Sequence, residues 1–483
     1  MDLPRPRQLV RRLSFARTVA AGGYDVGSGT LTTVSKDVHV TLNEFGQFTT
    51  IGADGLTPDL DARVQALSAM ADRRLADEFD MASHLYAAYP DISYDEVVGY
   101  SMGLFAGRVV EGRYRDNGSS GGFATWILTE LLDRGDIDGV IHVKPTHSLN
   151  APLFRYEISR TRAEVHAGSG SRYYPVELSA VLTDILKTSE RYAVVAIPSI
   201  MMELRLLAMG DTRFTDRIAY TVGLICGHQK STKYAESLAW QAGISPGQLR
   251  YFNFRKKIPG RPPWDYSMEM TGFIDGELVT IEKRQDELLG SDWAHGLFKA
   301  KFSDYTDDAL NETADVAVGD AWLPEYDQTS EGTNVLIIRH PRIAQLVQDG
   351  IREGRLDLSP IDAATVVRSQ RGLVHHTRDE LGFRLARRDR AGQWRPRKRV
   401  PASSDIPLLR RRVQRIREDI AAKSHLLYRE ALERSDWEYF AVRIRQLIRR
   451  YDFTYRLIHW QTIVRRGPRS VAQALGVKLF GRR

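Results

Sequence analysis

Residues 115–141, RDNGSSGGFATWILTELLDRGDIDGVI, constrain the fold of this chain more than any other stretch. A glycine-dense polar turn, Asn117-Gly118-Ser119-Ser120-Gly121-Gly122, runs straight into an apolar amphipathic segment at 123–132 and then, past Arg134 and Gly135, into a short β-branched run. Loop, helix and strand follow in that order. Glycines admit backbone conformations and close approaches that a Cβ obstructs, and the first turn of the following helix leaves amide donors for an anion. The stretch can therefore cradle a phosphate of a diphosphate-bearing cofactor, or it can simply end one element and cap the next. It is neither GxGxxG nor a Walker motif, because the spacing differs and no Lys-Ser or Lys-Thr follows the glycines.

The same order of elements recurs. Residues 192–197, YAVVAI, read as a buried strand ended by Pro198 and Ser199, with a helix beginning at 200–207; a second strand at 217–225 leads to Cys226-Gly227-His228. Strand, turn and helix in repetition predict an α/β body whose parallel strands gather these loops at their carboxyl ends. Another small-residue loop, AGSGSRYYP at 167–175, precedes a helix at 176–187 and brings Ser171 and Arg172 as further anion donors. Ahead of this core, residues 38–50 alternate like a hairpin turning at 43–46, and Leu60, Val64, Leu67, Met70 and Leu75 predict one helix over 59–78. Behind it, strand-like pieces at 266–273, 277–282, 313–322 and 333–339 predict a smaller mixed subdomain near 249–341. Helices are expected at 408–433 and 436–450. The predicted organisation is therefore an N-terminal hairpin and helix region at 1–95, an α/β core at 96–361 and a basic, mainly helical extension at 362–483.

Charge and cysteine usage narrow the function. The single cysteine, Cys226, cannot form an intrachain disulfide or supply the several thiolates of an iron-sulfur cluster. The histidines are scattered, and His375 and His376 are adjacent rather than at the i, i+4 spacing of a shared helical face, so no metal site is expected. No run approaches the ~20 apolar residues of a spanning helix, and the basic N-terminus lacks a signal-like apolar region. These features predict a cytoplasmic protein, peripheral at most at the inner face of the membrane. The formal charge of +7 is concentrated late: residues 453–483 contain no acid, and their arginines alternate with Phe453, Trp460 and Ile463. That segment can rest on an anionic membrane surface, or pack on the body or on another subunit of a homo-oligomer. No nucleic-acid module is recognised.

In combination and order, several pieces resemble the family of coenzyme F420 hydrogenase/dehydrogenase beta subunits: 118–122 with 135–140, Gly170-Ser171-Arg172-Tyr173, Ala196-Ile197-Pro198-Ser199, 223–228 and ADVAVGDAW at 314–322. The similarity runs from about Lys36 to Pro341. It implies the mixed-sheet fold of that family and, from members that bind FAD and iron-sulfur clusters, an FAD site. The departures fall on the clusters. Ser199 stands where the family has cysteine after proline, Ser303 and Thr306 stand at its Cys-x-x-Cys pair, and the cysteine-rich insertion is absent.

The resemblance thus implies an FAD-dependent oxidoreductase without iron-sulfur clusters, acting on a sugar or sugar-nucleotide in bacterial polysaccharide biosynthesis. The alternative is a non-redox transferase or membrane-associated scaffold of polysaccharide assembly that retains the nucleotide-binding fold. On this reading Asn117, Gly118, Ser119, Ser120, Gly121, Gly122, Ser171 and Arg172 hold the cofactor phosphates, and Pro198 lies near the ring. Ser199, His228 and Lys230 are the catalytic candidates, His228 as a proton relay and Lys230 for an oxyanion. Arg255, Lys256 and Asp320 would contact substrate.

Overall fold

The computed structural model describes Val19 and residues 21–52, 56–72, 74–146, 151–326 and 330–466. Eight strands form one mixed sheet, in the spatial order Leu356–Pro360, Gly103–Val109, Asn334–Ile338, Val316–Asp320, Ile218–Leu224, Tyr192–Ala196, Gly139–Pro145 and Phe154–Ser159. The strands starting at Gly139, Tyr192, Ile218 and Val316 are parallel to one another, and antiparallel strands flank this group on both sides. Strands covered on two faces need apolar residues at successive positions. Accordingly Ala193 joins the core beneath helices Phe123–Asp133 and Pro341–Arg352, while Val194 joins the core beneath helix Pro198–Gly210.

The register of the two central strands is fixed by a buried polar hub. Asp315 accepts from Thr221 N at 2.8 Å, Thr221 Oγ1 at 2.9 Å and Arg205 Nη2 at 2.9 Å. Tyr86, from the N-terminal region, donates to Thr313 O at 2.9 Å beside it. Four separate elements therefore meet at one carboxylate.

Several expectations shift in detail. The hairpin forms between His39–Leu42 and Phe48–Ile51. The expected helix over 59–78 is two helices, Pro58–Leu67 and Glu78–Tyr86. Ser68 is extended between them, which lets Ala69 N donate to the buried Glu203 carboxylate at 3.1 Å. Of the expected 249–341 subdomain, only Leu249–Lys256, Ser267–Ile274 and Glu277–Arg284 form a separate antiparallel sheet; the strands at Val316 and Asn334 belong to the main one.

The extension begins with short helices at Ala363–Ser369, Arg371–Val374 and Leu381–Arg390 and continues into a hairpin of two long helices, Leu408–Arg434 and Trp437–Arg465. The second starts where Asp436 accepts from Tyr439 N at 3.1 Å, and it runs past the expected end at 450 because no proline or glycine interrupts it. Phe298 anchors the hairpin to the body: its amide donates to Ser424 Oγ at 2.8 Å and its ring stacks on Phe440. Of the basic segment expected at 453–483, residues 467–483 lie outside the described residues. Among the described residues no helix is long and apolar enough to cross a membrane.

Glu203 provides a pH test of this packing. It is 2% exposed and receives hydrogen bonds from Ser28 and Thr30 as well as Ala69, no cation pairs with it among the described residues, and burial raises its pKa to about 7. An unfolded glutamate titrates near ~4.3, so between the two values the folded state holds the extra proton and stability falls as pH rises. Glu203→Gln removes that slope. Relative to the wild type, the variant should gain roughly 1–3 kcal/mol of stability on going from about pH 5 to about pH 8, read from urea unfolding midpoints.

Candidate functional site

A cavity of about 300 Å³ opens at the carboxyl ends of the parallel strands. Two small-residue loops form one rim. Ser119 Oγ accepts from Ser171 N at 2.8 Å, joining the loop before helix Phe123–Asp133 to the loop at 168–172. Gly122 makes the entry to that helix possible: its φ is +86°, and a Cβ there would stand 2.6 Å from the carbonyl carbon of Tyr114. The first helical amide is not left for a ligand, since Phe123 N donates to Asn334 Oδ1 at 3.1 Å. Gly118, Ser119, Ser120 and Gly122 line the cavity, whereas Asn117 ends the short helix Tyr114–Asn117 and Gly121 packs against Gly107 and Asn334 behind the wall.

Arg172 lies under this rim. Its guanidinium donates to Ser169 O at 2.8 Å and Ser171 O at 3.2 Å and sits 5.2 Å from the Phe154 ring centre. Among the described residues no carboxylate pairs with it, its Nε is buried without a hydrogen-bond partner, and burial holds its pKa below the ordinary arginine value. Such a group seeks an anion. Nearby His142 bonds through Nε2 to Ser159 Oγ at 2.9 Å and is pushed down to about 4, by burial first and Lys144 second, so it stays neutral.

The opposite wall is aromatic. After strand Ile218–Leu224 the chain places Cys226, His228 and Lys230 against Trp293. The His228 ring stacks on Trp293 with centroids 4.2 Å apart, and its Nε2 is buried and unpartnered. Lys230 Nζ donates to Leu297 O at 2.8 Å and lies 4.7 Å from the Trp293 ring and 4.8 Å from Tyr234. Burial, then the neighbouring Lys299 and Arg417, drives the Lys230 pKa well below the usual lysine value; burial and Lys230 lower that of His228, and burial raises that of the Cys226 thiol. His228 and the Cys226 thiol are thereby held uncharged near neutral pH, and Lys230 gives up its proton more readily than an exposed lysine.

Arg255 and Asp320 meet at the mouth in an ion pair of 2.7 Å, with Tyr266 and Trp322 rings flanking the guanidinium. Lys256, by contrast, points away from the cavity and bridges Glu269 and Glu282 at 2.6 Å each, because successive strand residues face opposite sides. Pro198 and Ser199 start their helix behind the wall, and Ile197 and Ile200 face the cavity instead. Ser303 and Thr306 are tied into the backbone: Ser303 Oγ accepts from Gln229 N at 3.1 Å and Thr306 Oγ1 donates to Asp308 O at 3.2 Å. Among the described residues no group of His, Cys, Asp and Glu side chains could hold a metal ion. Sequence reasoning gave no role to His142, Asn334 or Trp293. Trp293 comes from an irregular stretch without periodicity, and only the fold brings it over His228.

A mixed sheet with a glycine- and serine-rimmed cavity at the ends of its parallel strands is an architecture in which α/β proteins hold cofactors. The chain belongs to the coenzyme F420 hydrogenase/dehydrogenase beta subunit family: the model of the family's N-terminal part matches residues 104–183 and that of its C-terminal part residues 189–364, together just over half of the chain. Among solved structures, a chain of the F420-reducing NiFe hydrogenase complex from Methanosarcina barkeri is 16% identical, with 63% of this chain and 98% of that chain covered and a TM-score of 0.47. No curated protein matches.

The family match corrects two expectations. It points to coenzyme F420 rather than FAD as the bound group, and to hydrogenase/dehydrogenase chemistry rather than a conversion or assembly step in polysaccharide biosynthesis. The glycine-serine loops pointed only to a phosphate, which both cofactors carry, and so could not distinguish the ring. No residue specified a sugar.

The Arg255–Asp320 pair is testable. Asp320→Ala leaves a guanidinium that is 8% exposed without its carboxylate and should destabilise the fold by roughly 2–3 kcal/mol in chemical denaturation.

Proposed function

We propose that the chain is an oxidoreductase that holds coenzyme F420 in this cavity and exchanges hydride between it and a small organic molecule bound beside it. The observation that carries this reading is the polarity of the cavity in a chain of this family. One end offers Arg172 and the amides and hydroxyls of two joined loops; the other offers an aromatic wall with the neutral His228 and the buried Lys230 against it. When bound, coenzyme F420 supplies a two-electron hydride carrier with a phosphate-bearing tail.

The residues present fit such a group. Arg172 Nε, buried and unpartnered, is a donor awaiting an acceptor, and Ser119 and Ser171 stand beside it. Trp293, Tyr173, Ile197 and Ile200 give the remaining walls the apolar surface that excludes water around a flat ring. His228, kept neutral by burial, can take a proton from a substrate hydroxyl, and Lys230, its pKa lowered by burial, stands beside it to hold or return one. Arg255, already neutralised by Asp320, orients polar groups without adding net charge. This chain has one cysteine and thus no thiolate relay of its own, so in this reading donor and acceptor meet directly in the cavity.

A spectral titration of the full chain with oxidised coenzyme F420 should show saturable binding. Arg172→Ala should weaken it roughly tenfold, about 1.4 kcal/mol, whereas Lys256→Ala, outside the cavity, should leave it unchanged. Absence of saturable binding, or equal affinity of the Arg172→Ala variant, would sink the assignment.

A further inference from the structure

The outer face of the last helix is a surface that the cavity does not use. Along Trp437–Arg465, Val442, Phe453, Trp460 and Val464 fall on one stripe, because their separations of eleven, seven and four residues are near whole numbers of helical turns. They are 49, 49, 40 and 60% exposed, while Phe440, Ile444 and Tyr451 on the opposite side of the helix are buried against the body. At the helix end Leu409 from the preceding helix joins Leu457, Trp460 and Val464 around a shallow groove. Arg449, Arg456, Arg465 and Arg466 are exposed along the same element, and none is paired with an acid among the described residues. From 443 to 466 the one acidic residue is Asp452, which is held by His295 at 3.3 Å.

We propose that this stripe is a membrane-docking face, with the helix lying flat on an anionic bilayer. Phe453, Trp460 and Val464 would enter the boundary between headgroups and acyl chains, and the arginines would meet lipid phosphates. A spanning role is not available to this helix, which is neither apolar enough to cross nor free to leave the body it packs against. Its composition is that of an interfacial helix, with aromatic and branched side chains on one stripe and arginine on both flanks. The long arginine side chains reach from the level of the apolar stripe to the headgroups. Charge decides between a bilayer and a second copy of the chain: the acids on the helix, Glu438 and Asp452, already face Arg445 and His295, so two such faces would bring unpaired arginine against arginine, whereas an anionic surface attracts each of them.

The full chain should float with vesicles containing roughly one-third phosphatidylglycerol at low salt and should not float with pure phosphatidylcholine vesicles. Trp460→Glu with Val464→Glu, and separately Arg449→Glu with Arg456→Glu, should each reduce partition roughly tenfold or more, with melting temperatures unchanged because all four side chains are exposed. Binding of either variant equal to that of the unaltered chain places the contact elsewhere and overturns the proposal. Equal binding to neutral vesicles overturns it too, as does failure to float with either kind. If the chain instead forms a dimer by light scattering that the Trp460→Glu, Val464→Glu variant dissolves, the face belongs to a second copy.

Discussion

Asp315 meets Arg205 and Thr221 inside the molecule, and the sheet centre is arranged around that carboxylate. Parallel strands have no hairpin to fix their register, and a slip by one residue would turn every apolar side chain to the wrong face. By accepting both the amide and the hydroxyl of Thr221, Asp315 locks Val316–Asp320 against Ile218–Leu224 so that Val318 stands opposite Leu224. That register brings the turn at Ile225 and the Gly319-Asp320 end to the same mouth. Arg205 supplies the compensating charge from helix Pro198–Gly210. A buried pair of this kind adds little net stability against an apolar replacement, and its use here is to admit one alignment only.

Much of this arrangement is legible in the sequence wherever a local rule decides the outcome. YAVVAI must be a covered strand, Gly122 must turn where a Cβ would collide, and the long apolar periodicity after Asp436 must be helix. The eight-stranded assembly is less legible. Asn334–Ile338 and Val316–Asp320 look like parts of a separate unit because the meander at 249–284 intervenes, yet they pair directly with each other and join Gly103–Val109 to Ile218–Leu224 inside the main sheet. Site residues divide in the same way. Ser119 and Arg172 announce themselves as small-residue and cationic positions before helices. Trp293 and Asn334 do not, since their positions over the cavity follow from contacts between residues far apart in the chain. Lys256 shows the converse error: adjacency to Arg255 in sequence places it on the other face of a strand.

Electrostatically the cavity divides its labour. Among the described residues no carboxylate pairs with Arg172, while burial lowers the pKa of both Lys230 and His228, with Lys299 acting next on Lys230 and Lys230 next on His228. In the proposed reading the Arg172 end attracts the anion and His228 serves proton transfer at the other. The serine and threonine at 303 and 306 extend this separation, because their hydroxyls are used up by the backbone and present nothing reactive to the cavity.

The hydrogen bond from Ser171 N to Ser119 Oγ makes the rim one piece, although its halves are fifty-two residues apart in the chain. Loops ordered only by a ligand must surrender their conformational freedom at the moment of binding, and affinity suffers by that amount. Here a bond within the protein itself takes up part of that freedom. Any ligand seated in the proposed way would be released by warming or mild denaturant at the point where the two loops part.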